Sequence, residues 1–309
     1  MPARAELHAL PRIRQIRDLG HELMLEPFDV DQRAGGSRGA GEGVKSHGPI
    51  YSAHMTAAVG PMGFSHSSRG RLTAKDIGRF ASETLFDRIA RTVCEAGCLP
   101  RKELYEAWET ARRARRRFRG GRIVDLGGGH GLLAQIMLIL DDTSPSALVV
   151  DKAPPKSSAR LHEVLSNAWP RLRDRVTFVV AGLDEVDLDA ADVVVSSHAC
   201  GRLTDVVLSR AIAARARVAV LPCCHDLAAC DSGDLSGWID GATAIDVMRA
   251  VRLAQSGYEI WTQTIPGAIT PKNRLLLGSP RKNRLLLGSP GKNRLLLGSP
   301  ELEPAPPMK

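Results

Sequence analysis

The sequence lacks any long apolar run. A membrane-spanning helix needs about eighteen consecutive apolar residues, and no stretch of this chain supplies them. The amino-terminal stretch mixes charged and apolar side chains throughout, which is not typical of a secretory signal. We therefore expect no membrane span and no secretory signal, and we predict a cytoplasmic location.

Cysteine is scarce as well. The chain of 309 residues contains six cysteines, and its 43% of hydrophobic residues can bury a normal core without disulfide support. The length allows one large domain or two small ones. We expect reduced thiols rather than a disulfide framework at Cys94, Cys98, Cys200, Cys223, Cys224 and Cys230.

Acidic residues are fewer than basic ones, which leaves a formal net charge of +8. Much of this charge is local, because the segment from Ala111 to Arg122 contains seven arginines. A cluster of this kind is either a solvated helix end or a surface that contacts phosphate groups. The sequence leaves both interpretations open.

A glycine-rich turn is the most informative stretch of the chain. In GRIVDLGGGHGLL, a short apolar run reaches Asp125, and a loop with Gly127, Gly129 and Gly131 then leads into the apolar periodicity of a helix at Leu132. Missing Cβ atoms let a ligand lie against the backbone, and the following helix offers unpaired N–H groups. A dinucleotide fingerprint would need Gly or Ala at position 132, so NAD fits poorly.

The spacing D-x-G-x-G-x-G resembles the first motif of the class I S-adenosylmethionine-dependent methyltransferases. The next apolar run ends in Asp151, where an acid at a strand tip can accept hydrogen bonds from both ribose hydroxyls of a nucleoside. The resemblance implies S-adenosylmethionine as the cofactor, bound through Asp125, Gly127, Gly129, Gly131 and Asp151. The alternatives are a turn without a ligand and an acid that only ends a strand.

Strand-like and helix-like segments alternate through the rest of the chain. This alternation predicts an α/β fold, a doubly wound and mostly parallel sheet of seven strands. The last two strands are joined by Pro266-Gly267, which is too short for a parallel crossover, so we predict a terminal antiparallel strand. The predicted strands are Ile123–Asp125, Leu148–Asp151, Val176–Val180, Val193–Ser196, Val218–Leu221, Tyr258–Ile265 and Arg274–Leu277.

The domain boundaries follow from composition and repeats. We predict a partly disordered, helical or irregular extension over residues 1–72 and a methyltransferase domain over residues 73–280, with a helical lead-in over 73–120 and the core sheet over 121–280. In the lead-in, one helix should run from Thr73 to near Gly97 and a second over Lys102–Phe118. KNRLLLGSP occurs three times in tandem; only the first copy is needed for the sheet, and residues 281–309 should be disordered.

Two loops resemble a branch of this superfamily. SSHACGRLTD after the fourth strand and LPCCHD after the fifth are similar to the H-x-C-G…T-D and P-C-C loops of RNA-methyltransferase-like proteins and of the eukaryotic tRNA ribose 2′-O-methyltransferase that acts in the acceptor stem. The resemblance implies an RNA acceptor, a tRNA hydroxyl or base. Its phosphate contacts would come from Arg112, Arg113, Arg115, Arg116, Arg117 and Arg119.

Other acceptors remain open. The N/D-P-P-Y loop that holds planar amines in amino-nitrogen methyltransferases is absent, which disfavours an exocyclic amine or a glutamine. A small-molecule or protein methyltransferase and a non-catalytic cofactor-binding adaptor are the alternative functions.

Candidate catalytic residues lie in the same two loops. A hydroxyl acceptor needs a base, for which His198 is the first candidate and His225 the second. A Pro-Cys after the fifth strand resembles the nucleophile of RNA 5-methylcytosine enzymes and makes Cys223 the third. Ser197 and Asp184 complete the expected cofactor site, the latter through the adenine amino group, for which Glu185 and Asp187 are the alternatives. Zinc held by Cys200, Cys223, Cys224 and His225 is the alternative, but adjacent cysteines do not readily share one tetrahedral ion, so we predict buried thiols and no metal.

Overall fold

The computed structural model describes residues 65–281 of the chain. Expectations for residues 1–64, and for the second and third copies of KNRLLLGSP, lie outside the described residues. No helix in the described part is both long and apolar enough to cross a bilayer. The α-helices are α1 (Leu85–Ala96), α2 (Arg101–Arg117), α3 (Leu132–Leu140), α4 (Ser158–Ala168), α5 (Arg202–Ala214) and α6 (Gly241–Gln255).

Seven strands form one sheet, as the sequence predicts. The strands are β1 (Ile123–Leu126), β2 (Ala147–Asp151), β3 (Val176–Val180), β4 (Val193–Ser196), β5 (Arg217–Val220), β6 (Tyr258–Thr264) and β7 (Arg274–Pro280). Their order across the sheet is β3-β2-β1-β4-β5-β7-β6. The pairs from β3 to β5 are parallel, whereas β7 runs antiparallel to both β5 and β6.

The last strand is the antiparallel one, and it lies inside the sheet rather than at its edge. The first copy of KNRLLLGSP supplies β7, and Leu275, Leu276 and Leu277 are all buried there. Gly278 packs against Tyr258, where an added Cβ would lie 3.1 Å from the ring. Three consecutive buried leucines are typical of a strand that is covered on both faces.

The helical lead-in is divided where the sequence predicted one helix from Thr73 to near Gly97. A short 3-10 helix, Ala74–Arg79, comes first, and α1 begins only after an interruption. The reason is local capping: the Thr84 hydroxyl accepts a hydrogen bond from the Asp87 N–H at 3.2 Å and so begins a new helix. Packing also starts before residue 73, because Leu72 is fully buried.

The order of the strands reverses beside β1, because β2 lies on one side of it and β4 on the other. Asp125 pairs in register with Val149 of β2 and Val195 of β4. In open α/β sheets, ligands bind beyond the carboxyl ends of the strands at such a reversal. The glycine-rich turn, which follows β1, is therefore located where a ligand site is expected.

Candidate active site

Every second residue of the glycine-rich turn has a backbone conformation that favours glycine. Gly127, Gly129 and Gly131 have φ of +70°, +52° and +71°, in the region that L-residues with a Cβ rarely adopt. The N–H groups of Gly127 and Gly128 bond to the Val150 carbonyl at 2.8 and 3.1 Å. These bonds hold the turn against the end of β2.

The surroundings of the glycines show which of them pack against other residues and which one faces open space. A Cβ on Gly131 would lie 2.9 Å from both Phe178 and Val149, and one on Gly128 would lie 2.7 Å from Val149. A Cβ on Gly129 would meet nothing within 4 Å. Gly128 and Gly131 are therefore needed for close packing, whereas Gly129 faces space that a ligand can fill.

Asp151, at the end of β2, is bonded directly to this turn. One carboxylate oxygen accepts the Gly129 N–H at 3.0 Å, and the other accepts the Ala153 N–H at 2.9 Å. A carboxylate offers about four acceptor positions, so each oxygen keeps a lone pair for a further donor. This arrangement fits a carboxylate that accepts hydrogen bonds from ribose hydroxyls.

Asp125 is buried beneath the turn, with 1% of its surface exposed. Neither carboxylate oxygen has a hydrogen-bond partner among the described residues. Burial and the nearby charge of Asp151 raise the pKa of Asp125 to about 7, and the Ala134 N–H, which lies outside hydrogen-bond geometry, offsets part of that rise. A buried carboxyl group without a partner beside an open turn fits a site that receives a hydrogen-bonding ligand.

The other two expected cofactor residues end neighbouring strands. Ser197 is buried directly after β4 and lines a narrow cleft together with Gly128. Asp184 follows β3 and is exposed; a Cβ on Gly182 would lie 2.7 Å from the carboxylates of both Asp184 and Glu185. Both acids therefore lie above Gly182, so the choice between them as the adenine contact stays open.

His198 lies in the same cleft, between the turn and the first half of α2. The cleft is lined by Glu103 and Ala107 of α2 and by Gly128 and His130 of the turn. Burial, followed by the charges of Lys102 and His130, lowers the pKa of His198 to about 4. The imidazole is therefore neutral near pH 7, and it can accept a proton but is a weak base.

One further residue lines this cleft and another acts on it from nearby, and neither was predicted from the sequence. His130 stands between two of the motif glycines, and its Nε2 lies 2.9 Å from the Ser157 hydroxyl. Lys102 lies in the first turn of α2, where it pairs with Glu106 at 3.1 Å and acts electrostatically on His198. His130 could have been identified from the sequence, because it lies within the glycine-rich motif. Lys102 could not, because only the packing of α2 brings its charge near His198.

The cysteines of the two loops converge. The Sγ atoms of Cys200, Cys223 and Cys224, here called the thiol cluster, all lie within 4.8 Å of one another. Cys200 and Cys224 are exposed and Cys223 is half-buried, so the expectation of buried thiols is wrong. The loops after β4 and β5 turn their ends toward solvent, which leaves these side chains uncovered.

The thiols of the cluster differ in acidity. Burial and the neighbouring cysteines raise the pKa of Cys223. Although burial opposes the change, hydrogen bonds from Cys200 and Cys223 and the charges of Lys272 and Lys102 lower the pKa of Cys224. The thiolate form is therefore disfavoured at Cys223, which the sequence analysis gave as a candidate nucleophile.

His225 does not join the cleft. Its side chain is 3% exposed, and its Nε2 lies 2.8 Å from an oxygen of Asp246. Asp246 also pairs with Arg249 at 3.2 Å and with Arg274 at 2.7 Å. This network holds β7, α6 and the loop after β5 together, and it fixes the His225 ring away from the cleft with its Nδ1 buried and without a partner among the described residues.

The arginine cluster is divided between interior and surface. Arg115 is 2% exposed and pairs with Asp141 at 3.0 Å. Arg112 and Arg113 are half-buried and pair with Glu109. The exposed members are Arg116, Arg117 and Arg119.

The chain was compared with curated proteins, solved structures and family models. Among curated proteins none matches the chain. Similar solved structures include an O-methyltransferase family protein from Burkholderia thailandensis, 17% identical with a TM-score of 0.42; the match covers 70% of this chain and 66% of that one. The precorrin-6y C5,15-methyltransferase from Geobacter metallireducens is 13% identical with a TM-score of 0.38 and coverages of 57% and 87%.

A third similar structure is the M1A22 tRNA methyltransferase of B. subtilis, which is 14% identical with a TM-score of 0.39 and coverages of 56% and 66%. The family comparison concerns the middle of the chain. This segment runs from the first turn of α2 to the loop after β5 and includes the glycine-rich turn, Asp151 and His198. Over residues 102–230, the chain matches the model of a family described as a methyltransferase domain.

Proposed function

We propose that this protein is an S-adenosylmethionine-dependent methyltransferase. The observation that carries the proposal is the open face at Gly129, whose N–H is bonded to the carboxylate of Asp151 at the strand-order reversal. The methyltransferase-domain match over residues 102–230 supports it. When bound, the cofactor supplies an electrophilic methyl group.

The cofactor-binding residues have distinct roles in this proposal. The free lone pairs of Asp151 accept the ribose hydroxyls, and the backbone at Gly127, Gly129 and Gly131 lies against the ligand. Asp184 or its neighbour Glu185 accepts the adenine amino group. Asp125 receives a hydrogen bond that its buried oxygens otherwise lack.

For the acceptor, we propose a hydroxyl whose proton passes to His198. The ring is neutral near pH 7, since its pKa is lowered to about 4, so a nitrogen lone pair is free to accept the proton as the methyl group transfers. A base of this strength cannot ionise a hydroxyl in advance, and proton removal must accompany transfer. The thiolate route through Cys223 has less support, because the pKa of Cys223 is raised.

For the substrate class, we propose RNA, with tRNA as the first candidate. The exposed Arg116 and Arg117 end the helix whose first turn lies at the cleft, and the exposed Arg119 lies two residues beyond its end. At 1.5 Å per residue, these arginines lie about 20 Å along α2 from Lys102. A substrate that contacts both the cleft and these arginines must be extended and anionic, as a folded RNA is.

Two experiments test these proposals in sequence. Calorimetry with S-adenosylhomocysteine should show binding that Gly129→Arg abolishes, because the new side chain fills the open face. No binding by the unmodified protein, or preferential binding of NAD, contradicts the cofactor proposal.

In the second experiment, labelled cofactor is incubated with total RNA and, separately, with a protein and small-molecule extract. Label that survives RNase contradicts an RNA acceptor and favours a protein or small-molecule substrate. Cofactor binding without transfer to any fraction favours a non-catalytic adaptor.

A further inference from the structure

The thiol cluster has a geometry that two loops build together. Cys200 lies in the loop after β4, whereas Cys223 and Cys224 lie in the loop after β5. The Sγ atoms of Cys200 and Cys223 are 2.9 Å apart, and the Sγ of Cys224 lies within 4.8 Å of both. Sulfur atoms from the loops that follow two neighbouring strands thus converge on one point. Two of these cysteines, Cys200 and Cys224, are exposed to solvent.

The backbone around the cluster is fixed from several sides. The Gly201 N–H donates to the Cys224 carbonyl at 3.2 Å, which joins the two loops directly. Arg249, which is 2% exposed, donates to the Gly201 carbonyl at 2.9 Å. Beside Cys224, the side chain of His225 is held by Asp246. The three thiols therefore stand on a rigid support before any ligand binds.

Three convergent thiols suit a thiophilic metal ion. Zinc binds thiolate sulfur at about 2.3 Å, which places sulfur ligands about 3.8 Å apart in a tetrahedral site, and the cluster can reach that spacing by small side-chain rotations. The expectation that adjacent cysteines do not share an ion does not apply here, because the loop directs Cys223 and Cys224 to the same side. A disulfide would use only two of the three sulfurs.

We propose that Cys200, Cys223 and Cys224 bind one Zn²⁺ ion. Three Zn–S bonds form, the three thiol protons pass to solvent, and no atom changes its oxidation state. A fourth position remains open toward solvent for water or another ligand, as in zinc sites with three protein ligands. The ion joins the loops after β4 and β5, and its ligand Cys200 lies two residues after His198.

The test uses the full chain, purified with a reducing agent and without chelators. Metal analysis should find about one zinc per chain, and Co²⁺ added to the metal-stripped protein should give a thiolate-to-cobalt charge-transfer band. Removing a residue that only supports a ligand costs about 10–100-fold in metal affinity. Cys200→Ser, Cys223→Ser and Cys224→Ser should each weaken zinc binding at least tenfold in competition with a chelator.

Cys230→Ser is the matched control, because Cys230 lies in the same loop region but outside the cluster. It should retain both the zinc and the cobalt band. Circular dichroism of each variant separates loss of a ligand from loss of the fold. Six free thiols without metal uptake contradict the proposal, and so does a protein that is two thiols short, which indicates a Cys200–Cys223 disulfide. Neither readout depends on cofactor binding or methyl transfer.

Discussion

The carboxylate of Asp151 accepts the N–H of Gly129 at 3.0 Å. This single bond joins the end of β2 to the part of the glycine-rich turn that faces open space. It also orients the carboxylate, since its other oxygen is held by the Ala153 N–H. The acid that we propose to bind the ribose and the open backbone are thus one preformed unit.

Asp151→Asn should weaken cofactor binding. An amide NH₂ replaces one oxygen, so the side chain cannot accept both backbone N–H groups and two ribose hydroxyls. Hydrogen bonds to charged groups contribute about 1.5–3 kcal/mol, and the affinity for S-adenosylhomocysteine should fall about 10–100-fold in calorimetry. Asp174→Asn, at an exposed position before β3, is the control and should bind normally. Equal affinities for the two variants contradict the role of Asp151.

Two alanine substitutions separate the ligand-facing glycine from the packed one. Gly129→Ala adds a Cβ to open space and should cost only the left-handed backbone strain, about 1–2 kcal/mol, while cofactor affinity falls about tenfold or more. Gly131→Ala adds the same strain and also presses on Phe178 and Val149, so its free energy of unfolding should drop further by at least about 1 kcal/mol. Urea unfolding and calorimetry measure both effects. Wild-type cofactor affinity in Gly129→Ala would overturn this assignment.

Asp125 should make folding stability depend on pH. Its pKa is raised to about 7 in the folded state, from 3.8, so the unfolded chain binds fewer protons between these values and stability falls as pH rises through that window. Asp125→Asn removes this titration. Relative to wild type, the variant should gain stability between pH 4 and pH 8, by at most about 4 kcal/mol. Urea unfolding of the cofactor-free protein at several pH values tests this; parallel curves for wild type and variant contradict it.

His198→Ala should lower kcat without changing cofactor affinity. Loss of a general base typically costs about 10²–10⁴-fold in rate, and Cys223→Ala should be mild by comparison. Because His198 must be neutral to accept a proton and its pKa is about 4, its own titration should leave kcat constant from pH 6 to pH 8 and lower it only near pH 4. If Cys223→Ala abolishes activity while His198→Ala is nearly normal, the acceptor is a pyrimidine carbon and the hydroxyl proposal fails.

The exposed arginines should contribute to RNA binding through salt-sensitive interactions. Arg116→Ala combined with Arg119→Ala should weaken tRNA binding and reduce the slope of log K against log salt by roughly 0.9 for each phosphate that the protein no longer neutralises. Arg173→Ala, at another exposed position, should change neither quantity. Arg115→Ala should instead lower the free energy of unfolding, by about 3 kcal/mol, because Asp141 loses its buried ion-pair partner and keeps only Arg119 at 3.7 Å and neutral donors such as the Gly120 N–H. Equal salt slopes for the double variant and wild type contradict the RNA surface.

Most of the strands could be predicted because their signals are local. A short buried strand needs an apolar run of a few residues between polar turns, and the predicted Val176–Val180 and Val193–Ser196 agree with β3 and β4. The interruption before α1 was missed, since apolar spacing continues from Ile77 to Ile89 and only the capping by Thr84 reveals the new helix start. The insertion of β7 between β5 and β6 was missed as well, because its neighbour β5 is distant in sequence.

The sequence by itself determined the glycine-rich turn, the acid at the end of β2 and the alternation that makes a parallel sheet. These features depend on backbone freedom at glycine and on apolar periodicity, which act over a few residues. Only the tertiary structure decided that Arg115 is buried, that His225 is paired with Asp246, and that Cys200 meets Cys223. Each of these outcomes depends on residues that are distant in sequence, and the environment of a polar side chain is set by the partner that the fold brings to it.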